Sequence, residues 1–362
     1  MKIFATHKIS SLRITNWLFL TAALALIVMA GISACAKIDG PQLGDNGWND
    51  LDGDRPIRFS ANIATPATKT DQPISPNTPN TTFGVFAFYQ TGTAQSTAHW
   101  NTSRTPNFMF NEDIHYNGSI YYYTPIKYWP NNTYNTITFW AYSPYSPTSD
   151  DVVFLNSSNH NNPYTSSTPN LPDIQYTVNA GKTDLLVSSP VQDEAKGNLD
   201  KTVTFNFHHT LSKINFTVKT QNAPGDITVY KVQLTSIQFQ YIKKTAIHNN
   251  TSHWSSTSNE GNITVFSGTQ DVTTSVVDVS NANVMLIPQT HVPMSRIHVE
   301  YRISNDNGET YTAYSADKFI NGTTWAESTE YSYNISITPG YPILFTVNWN
   351  SWGNIENYHI TD

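Results

Sequence analysis

From residue 57 the chain alternates between apolar and polar positions. Ile57, Phe59, Ala61 and Ile63 are apolar, and Arg58, Ser60 and Asn62 lie between them. Strict alternation turns one apolar face inward and predicts a half-buried strand. Comparable short strands are predicted at 83–89, 136–142, 174–178, 203–207, 214–218, 229–239, 284–287, 297–303, 331–337 and 343–349. The gaps between them hold Pro, Gly, Asn and Ser, the residues of turns. Beyond residue 35 no window carries a long amphipathic helical pattern. The expected fold class is therefore all-β, with two β-sandwich domains in tandem. The stretch PVQDEAKGNLDKT at 190–202 is charged and shows no strand pattern. It sets an expected boundary between an N-terminal sandwich, 56–195, and a C-terminal one, 196–340, followed by a C-terminal strand segment, 341–362.

The first 34 residues follow a different rule. Lys2, Lys8 and Arg13 give a positive start, an apolar run extends from Trp17 to Ile32, and the small residues Ser33 and Ala34 precede Cys35. This order describes a secretory signal peptide over 1–34. The alternative is a retained anchor helix, for which the apolar run is about long enough. Cys35 is the single cysteine of the chain, so it has no internal disulfide partner. The sequence Ile32-Ser33-Ala34-Cys35 resembles a bacterial lipobox. That resemblance implies cleavage between Ala34 and Cys35 and a diacylglyceryl group on the Cys35 sulfur. Several acyl chains on one residue anchor a protein where a single chain is marginal. Ala36 in place of Asp implies, by the same resemblance, an outer-membrane destination. Residues 35–55 read as a polar, lipid-anchored linker. Asp45, Asp50, Asp52 and Asp54 invite a calcium loop, but Arg55 stands where such a loop needs Gly, and the closing Glu is missing.

Composition narrows the class further. Charged residues make up only 13% of the chain, against 38% hydrophobic and 13% aromatic, which is not the composition of a disordered chain. The formal net charge of -7 and the lack of any basic run argue against a nucleic-acid partner. Few charges with many Thr, Tyr, Phe and Val fit an extracellular β protein.

Catalytic signatures are missing. The sequence contains no HExxH, GxSxG, P-loop or GxGxxG pattern, and neither a metal nor a cofactor is expected. His208 and His209 are adjacent, so in a strand they point to opposite faces and do not share one ion. Asp184 has no partner carboxylate at a meaningful spacing. Between residues 121 and 145 aromatic residues crowd together, including three consecutive tyrosines, Tyr121 to Tyr123. Some of these rings must be exposed. Tyr122 and Trp129 are the candidate ligand-contact aromatics, for a glycan or a protein receptor; the alternative is core and edge covering.

Four ordered phrases carry a family resemblance. They are Ile57 to Ile63; Lys127-Tyr-Trp-Pro130 with Ile137 to Pro144; Asp184-Leu-Leu-Val-Ser-Ser189 with Phe205 to Val218; and Leu286-Ile-Pro-Gln289 with Trp325 and Tyr331 to Ile337. Together they resemble the fimbrillin-like proteins of Bacteroides-type bacteria, over about residues 55–340. The resemblance implies two transthyretin-like β-sandwiches and a non-enzymatic, structural or adhesive subunit of a pilus (fimbrium) on the outer membrane and cell surface. It implies other pilus subunits as partners and the membrane through lipid; a host glycan or protein receptor is the further partner that the exposed aromatics suggest. It also implies assembly by strand exchange, in which the first strand is removed and a neighbour's strand takes its place. Ile57, Phe59, Ala61 and Ile63 would be the plugging residues. Ile343, Phe345, Val347 and Trp349 would be the donor residues, unless both segments are ordinary strands of their own domains. One departure concerns processing. The family protease cuts after arginine, whereas here Arg55 precedes Pro56, Arg58 lies inside the strand, and the following loop offers Lys69. A minor, tip or anchor subunit that keeps its first strand fits this departure. The alternative function is a monomeric surface glycan-binding lipoprotein.

Overall fold

A computed structural model describes residues 55–63, 72–73, 82–145, 152–155, 163–179, 181–197, 201–250, 253–256, 260–279, 282–351 and 358–360. All regular structure among them is β, and every stretch that alternation singled out contains a strand.

The N-terminal sheet runs in the order Gln72–Pro73, Arg58–Ile63, Thr202–His209, Leu186–Ser188, Thr136–Ser143, Thr82–Gln90, Met109–Tyr116, Tyr121–Tyr122, with Val191–Glu194 also paired to Thr136–Ser143. Its central strands read as almost continuous apolar runs because both of their faces are covered. On Thr82–Gln90, Phe83, Val85 and Ala87 enter one core with Ile57, Phe59, Phe139 and Phe205. Phe86 and Phe88, on the opposite face, enter a second core with Trp140, Tyr142 and Tyr176. The strand Thr202–His209 lies beyond the boundary expected at 195/196, yet it pairs with Arg58–Ile63 and buries Val203, Phe205 and Phe207 in the N-terminal core. Its alternation looked like the opening of a second domain. Its partner is the first strand.

Two further sheets face each other in the C-terminal half. One orders Val277–Asp278, Ser212–Thr220, Thr329–Ile337, Leu344–Ser351, Tyr358–Ile360, with Val284–Leu286 also on Ser212–Thr220; the other orders Glu260–Val272, Lys231–Lys243, Arg296–Ser304, Thr312–Phe319. Between them the Phe216 and Phe239 rings lie 5.6 Å apart, Tyr333 stacks on Phe216 at 5.4 Å, and Trp325 meets Phe239 edge-on at 4.9 Å. The buried indole N–H of Trp325 donates to the Tyr333 hydroxyl at 3.0 Å, as a buried polar group must. Ser212–Thr220 and Thr329–Ile337 pair in parallel. This repeats the parallel pairing of Arg58–Ile63 with Thr202–His209 in the first sheet.

A small sheet joins the halves. The hairpin of Thr245–Asn249 and His253–Ser256 leaves the C-terminal half and pairs through Thr245–Asn249 with Asp173–Thr177, which pairs in turn with Val152–Leu155. Trp140 Nε1 donates to Asn250 Oδ1 at 3.1 Å, and Trp254 Nε1 to the Thr210 carbonyl at 2.6 Å. The second core is therefore continuous from Phe86 and Trp140 to Phe216 and Tyr333.

Candidate functional site: the first strand and its seat

The alternation at 57–63 determines how the first strand sits. Ile57, Phe59 and Ala61 are buried in the N-terminal core. The intervening polar residues lie on the outer side, where Ser60 Oγ and Thr204 Oγ1 are 2.7 Å apart and Asn62 Nδ2 donates to Asn206 Oδ1 at 3.4 Å. Phe59 is the centre of the seat. Its ring stacks on Phe205 at 5.6 Å and meets Tyr123 at 5.3 Å, Phe139 at 5.9 Å and Phe83 at 6.4 Å. The backbone of Ile63 pairs with Phe207; its side chain lies outside the described residues.

A segment around Tyr123 and Lys127 clamps the start of the strand. Ile57 N–H donates to the Lys127 carbonyl at 2.8 Å, and Trp129 N–H to the Arg55 carbonyl at 2.9 Å. The Tyr123 hydroxyl donates to the Ile57 carbonyl at 2.9 Å and accepts from Lys127 N–H at 3.2 Å. Burial pushes the Tyr123 phenol above its ordinary range, so it remains a donor at any physiological pH. Arg55 Nη1 donates to the Gly197 carbonyl at 2.8 Å.

The pairing of the strand is lopsided. On one side it follows Thr202–His209 from Arg58 to Ile63; on the other, among the described residues, only Asn62 and Ile63 pair with Gln72–Pro73. Among the described residues, ladder pairing on that second side is confined to these two positions. Removing it would uncover a row of backbone groups on Thr202–His209 and an apolar trough floored by Phe205, Phe83, Phe139 and Tyr123.

The C-terminal strand occupies a place in its own sheet. Leu344–Ser351 pairs antiparallel with Thr329–Ile337, Ser336 opposite Leu344 and Thr329 opposite Ser351, and with Tyr358–Ile360 on its other side. Ile343, Phe345 and Val347 are only partly buried against the second core. Leu344 is 59% exposed and Trp349 39%. Its apolar face is thus less deeply set than that of the first strand.

The two candidate contact aromatics separate. Tyr122 is exposed and stacks on the His115 ring at 5.6 Å. Trp129, the other candidate, is only 2% exposed and takes the alternative role of core covering. Its backbone pairs with Arg55 while the neighbouring Tyr128 takes the outward position at 41% exposure. The indole turns inward to meet Phe139 at 5.8 Å and lies under the Lys201 ammonium at 5.7 Å. It lines the core and offers no face to a ligand.

Asp184 and His209, weighed separately in the sequence, are partners: His209 Nδ1 lies 2.8 Å from Asp184 Oδ2. Burial first, then the neighbouring charges of His253 and His209, lowers the pKa of His208. His248, His253 and Glu327 also come together in space. Sequence reasoning missed them, since the strand Thr245–Asn249 gave no alternation signal and residue 327 is remote in the chain. Ala34, Cys35, Lys69 and the aspartates at 45, 50, 52 and 54 lie outside the described residues.

Comparison with known proteins decides the family. The fimbrillin-like family model matches residues 65–352. This chain belongs to the fimbrillin-like family. The fimbrillin-like chain is 32% identical over 155 residues to the fimbrium subunit Fim1C of Phocaeicola vulgatus; the match covers 39% of this chain and 37% of that relative, so it spans well under half of either. Its fold is similar to the crystal structure of a fimbrial protein from Bacteroides vulgatus, with a TM-score of 0.59 and 20% identity, over 82% of this chain and 99% of the other. Both relatives are fimbrial proteins, the first a fimbrium subunit.

Proposed function

We propose that this fimbrillin-like chain is a structural or adhesive subunit of a fimbrium, cleaved after Ala34, lipidated at Cys35, delivered to the outer membrane and assembled with other subunits by strand exchange at the cell surface. The observation that carries the reading is the first strand: it lies along Thr202–His209 from end to end, and its inward residues Ile57, Phe59 and Ala61 fill an aromatic trough. An incoming strand with the same alternation would find both main-chain partners and side-chain pockets there. Ile343, Phe345, Val347 and Trp349 supply that alternation on the shallowly set C-terminal strand. The parallel pair repeated in each half supports the reading as two transthyretin-like sandwiches in tandem. Arg55 before Pro56, with its carbonyl and guanidinium both engaged, favours a minor, tip or anchor subunit over a processed stalk subunit.

The test compares surface material from the native cell with that of a chain truncated after Pro342, using unboiled gels and labelled electron microscopy. Ladders and filament-associated label that vanish on truncation are expected. A single monomer band from the intact chain, with no filament label, refutes the assembly reading. It would favour a monomeric glycan-binding lipoprotein, for which the exposed Tyr122 beside His115 is the remaining contact surface.

A further inference from the structure

The junction between the halves brings together three side chains that no sequence spacing connects. His248 lies in Thr245–Asn249, His253 opens His253–Ser256, and Glu327 lies in the turn before Thr329–Ile337. One ligand atom from each lies within 4.8 Å of the other two. His253 Nδ1 is 2.8 Å from Glu327 Oε2. His248 Nε2 faces Glu327 Oε1 across 4.0 Å, too far for a hydrogen bond. The His248 side chain is only 3% exposed. Its Nε2 and Glu327 Oε1 are both buried without a hydrogen-bond partner among the described residues. Leaving two such atoms bare is costly, and a cation bound between them satisfies both.

The surroundings hold these side chains in place. Ser328 N–H donates to the Leu211 carbonyl at 3.1 Å, Ser328 Oγ to the His209 carbonyl at 2.6 Å, and Ser212 Oγ to the Ala326 carbonyl at 2.7 Å. The turn carrying Glu327 is thereby fixed to residues 209–212. The His248 ring meets Trp254 edge-on at 5.1 Å, and Trp254 is itself bonded to Thr210. In a regular hairpin, His253, opposite Asn249, would point away from the face of His248. Its φ of 56° is in the left-handed region, uncommon for a residue other than glycine, and its imidazole reaches Glu327 instead.

We propose that His248, His253 and Glu327 form a site for one divalent transition-metal ion of the zinc type, with water in the fourth position. Two imidazoles and one carboxylate select such an ion over calcium or magnesium, which take oxygen ligands. With metal–ligand bonds near 2.0–2.2 Å, tetrahedral ligand atoms sit roughly 3.4 Å apart. The 4.0 Å between His248 Nε2 and Glu327 Oε1 lies a little above that spacing and the 2.8 Å between His253 Nδ1 and Glu327 Oε2 a little below it, so small side-chain shifts meet it. The ion takes no part in a reaction. It clips the hairpin that pairs with Asp173–Thr177 to the turn that starts Thr329–Ile337, and so ties the two halves together.

The chain, prepared without a polyhistidine tag and stripped with a chelator, is titrated with Zn2+ by calorimetry and with Co2+ in the visible range. Binding of one Zn2+ per chain is expected, together with the intense Co2+ bands of a four-coordinate site. His253→Ala and Glu327→Gln should each weaken Zn2+ binding at least about tenfold, the lower bound for disturbing a group that merely orients a ligand. His99→Ala, remote from the site, should leave it unchanged. Matching urea midpoints for metal-free wild type and His253→Ala would show that the loss is not misfolding. No Zn2+ binding at one per chain, a loss below tenfold in either variant, or equal affinity for Ca2+ overturns the proposal.

Discussion

Replacing Phe59 by Ala measures how firmly the first strand is held. The ring is 5% exposed and enclosed by Phe205, Tyr123, Phe139 and Phe83 at centroid distances from 5.3 Å to 6.4 Å. Transfer of a phenyl group out of water contributes about 1.5–3 kcal/mol. The hole left behind has rigid aromatic walls, two of them on the doubly buried strands Thr82–Gln90 and Thr136–Ser143, so little collapse is available. That raises the expected loss to about 3–5 kcal/mol. Urea unfolding followed by tryptophan fluorescence reads it as a lower midpoint at unchanged slope. Ser60→Ala is the internal control. It removes only the outer-side contact with Thr204, and a loss below about 1 kcal/mol is expected. A Phe59→Ala loss below about 1 kcal/mol at unchanged slope would refute the reasoning: the strand would then lie outside the cooperative unit, and its pairing would contribute nothing to the stability of the subunit.

Trp129→Ala should cost about 3–5 kcal/mol in the same assay, while Tyr122→Ala, on the surface, should cost less than about 1 kcal/mol; equal effects would contradict the burial of Trp129. Acid should destabilise the protein in part through His291. Its ring is buried edge-on against Trp325 at 4.2 Å, and burial first, then the charge of Lys243, bring its pKa down to about 4 against a bond from Nδ1–H to the Thr323 carbonyl that raises it. The unfolded chain takes up this proton near pH 6.5 and the folded chain only near pH 4. Stability is therefore full above pH 6.5 and falls between 6.5 and 4 by about 3 kcal/mol from this group. His291→Asn should flatten the pH dependence of the urea midpoint across that window, and an unchanged slope would refute the assignment.

What the sequence revealed followed burial. Where one face is packed and the other solvated, as in Arg58–Ile63, Thr202–His209 and Ser212–Thr220, alternation marks the strand almost residue by residue. Thr312–Phe319 went unseen because it is an edge strand exposed along nearly its whole length. Met109–Tyr116 carries Glu112 and Asp113 at half-buried positions and gave no apolar rhythm. Val191–Glu194 lies within the stretch that read as a linker, since Gln192, Asp193 and Glu194 give it no apolar rhythm and its ladder to Thr136–Ser143 is a backbone pairing. The seat of the first strand was half legible. Its plugging residues were evident, whereas their parallel partner lay across an expected domain boundary. Parallel pairing needs a long crossover, and sequence pattern does not say which distant strand closes it. Trp129 illustrates the same limit at a single residue. An aromatic-rich loop shows that some rings must be outside, but only the pairing of its backbone with Arg55 decides that Tyr128 faces water and Trp129 does not.

The parallel partnership of the first strand has a kinetic side. Ser60 and Thr204 touch across 144 positions of sequence, and closing a loop of that size costs on the order of 4 kcal/mol in chain entropy, beyond a constant term. The strand is made early in synthesis, but its partner follows only after most of the N-terminal half, so it waits unpaired while the rest of its sheet condenses. The trough exists only once Thr202–His209 has docked and brought Phe205 to its floor, and at that moment the tethered strand is only one candidate to fill it. Its advantage is an effective concentration set by the intervening chain, which a strand from another molecule can match when held nearby. Capture by self and capture by neighbour become a race between a long loop and a close encounter, decided by timing as much as by fit.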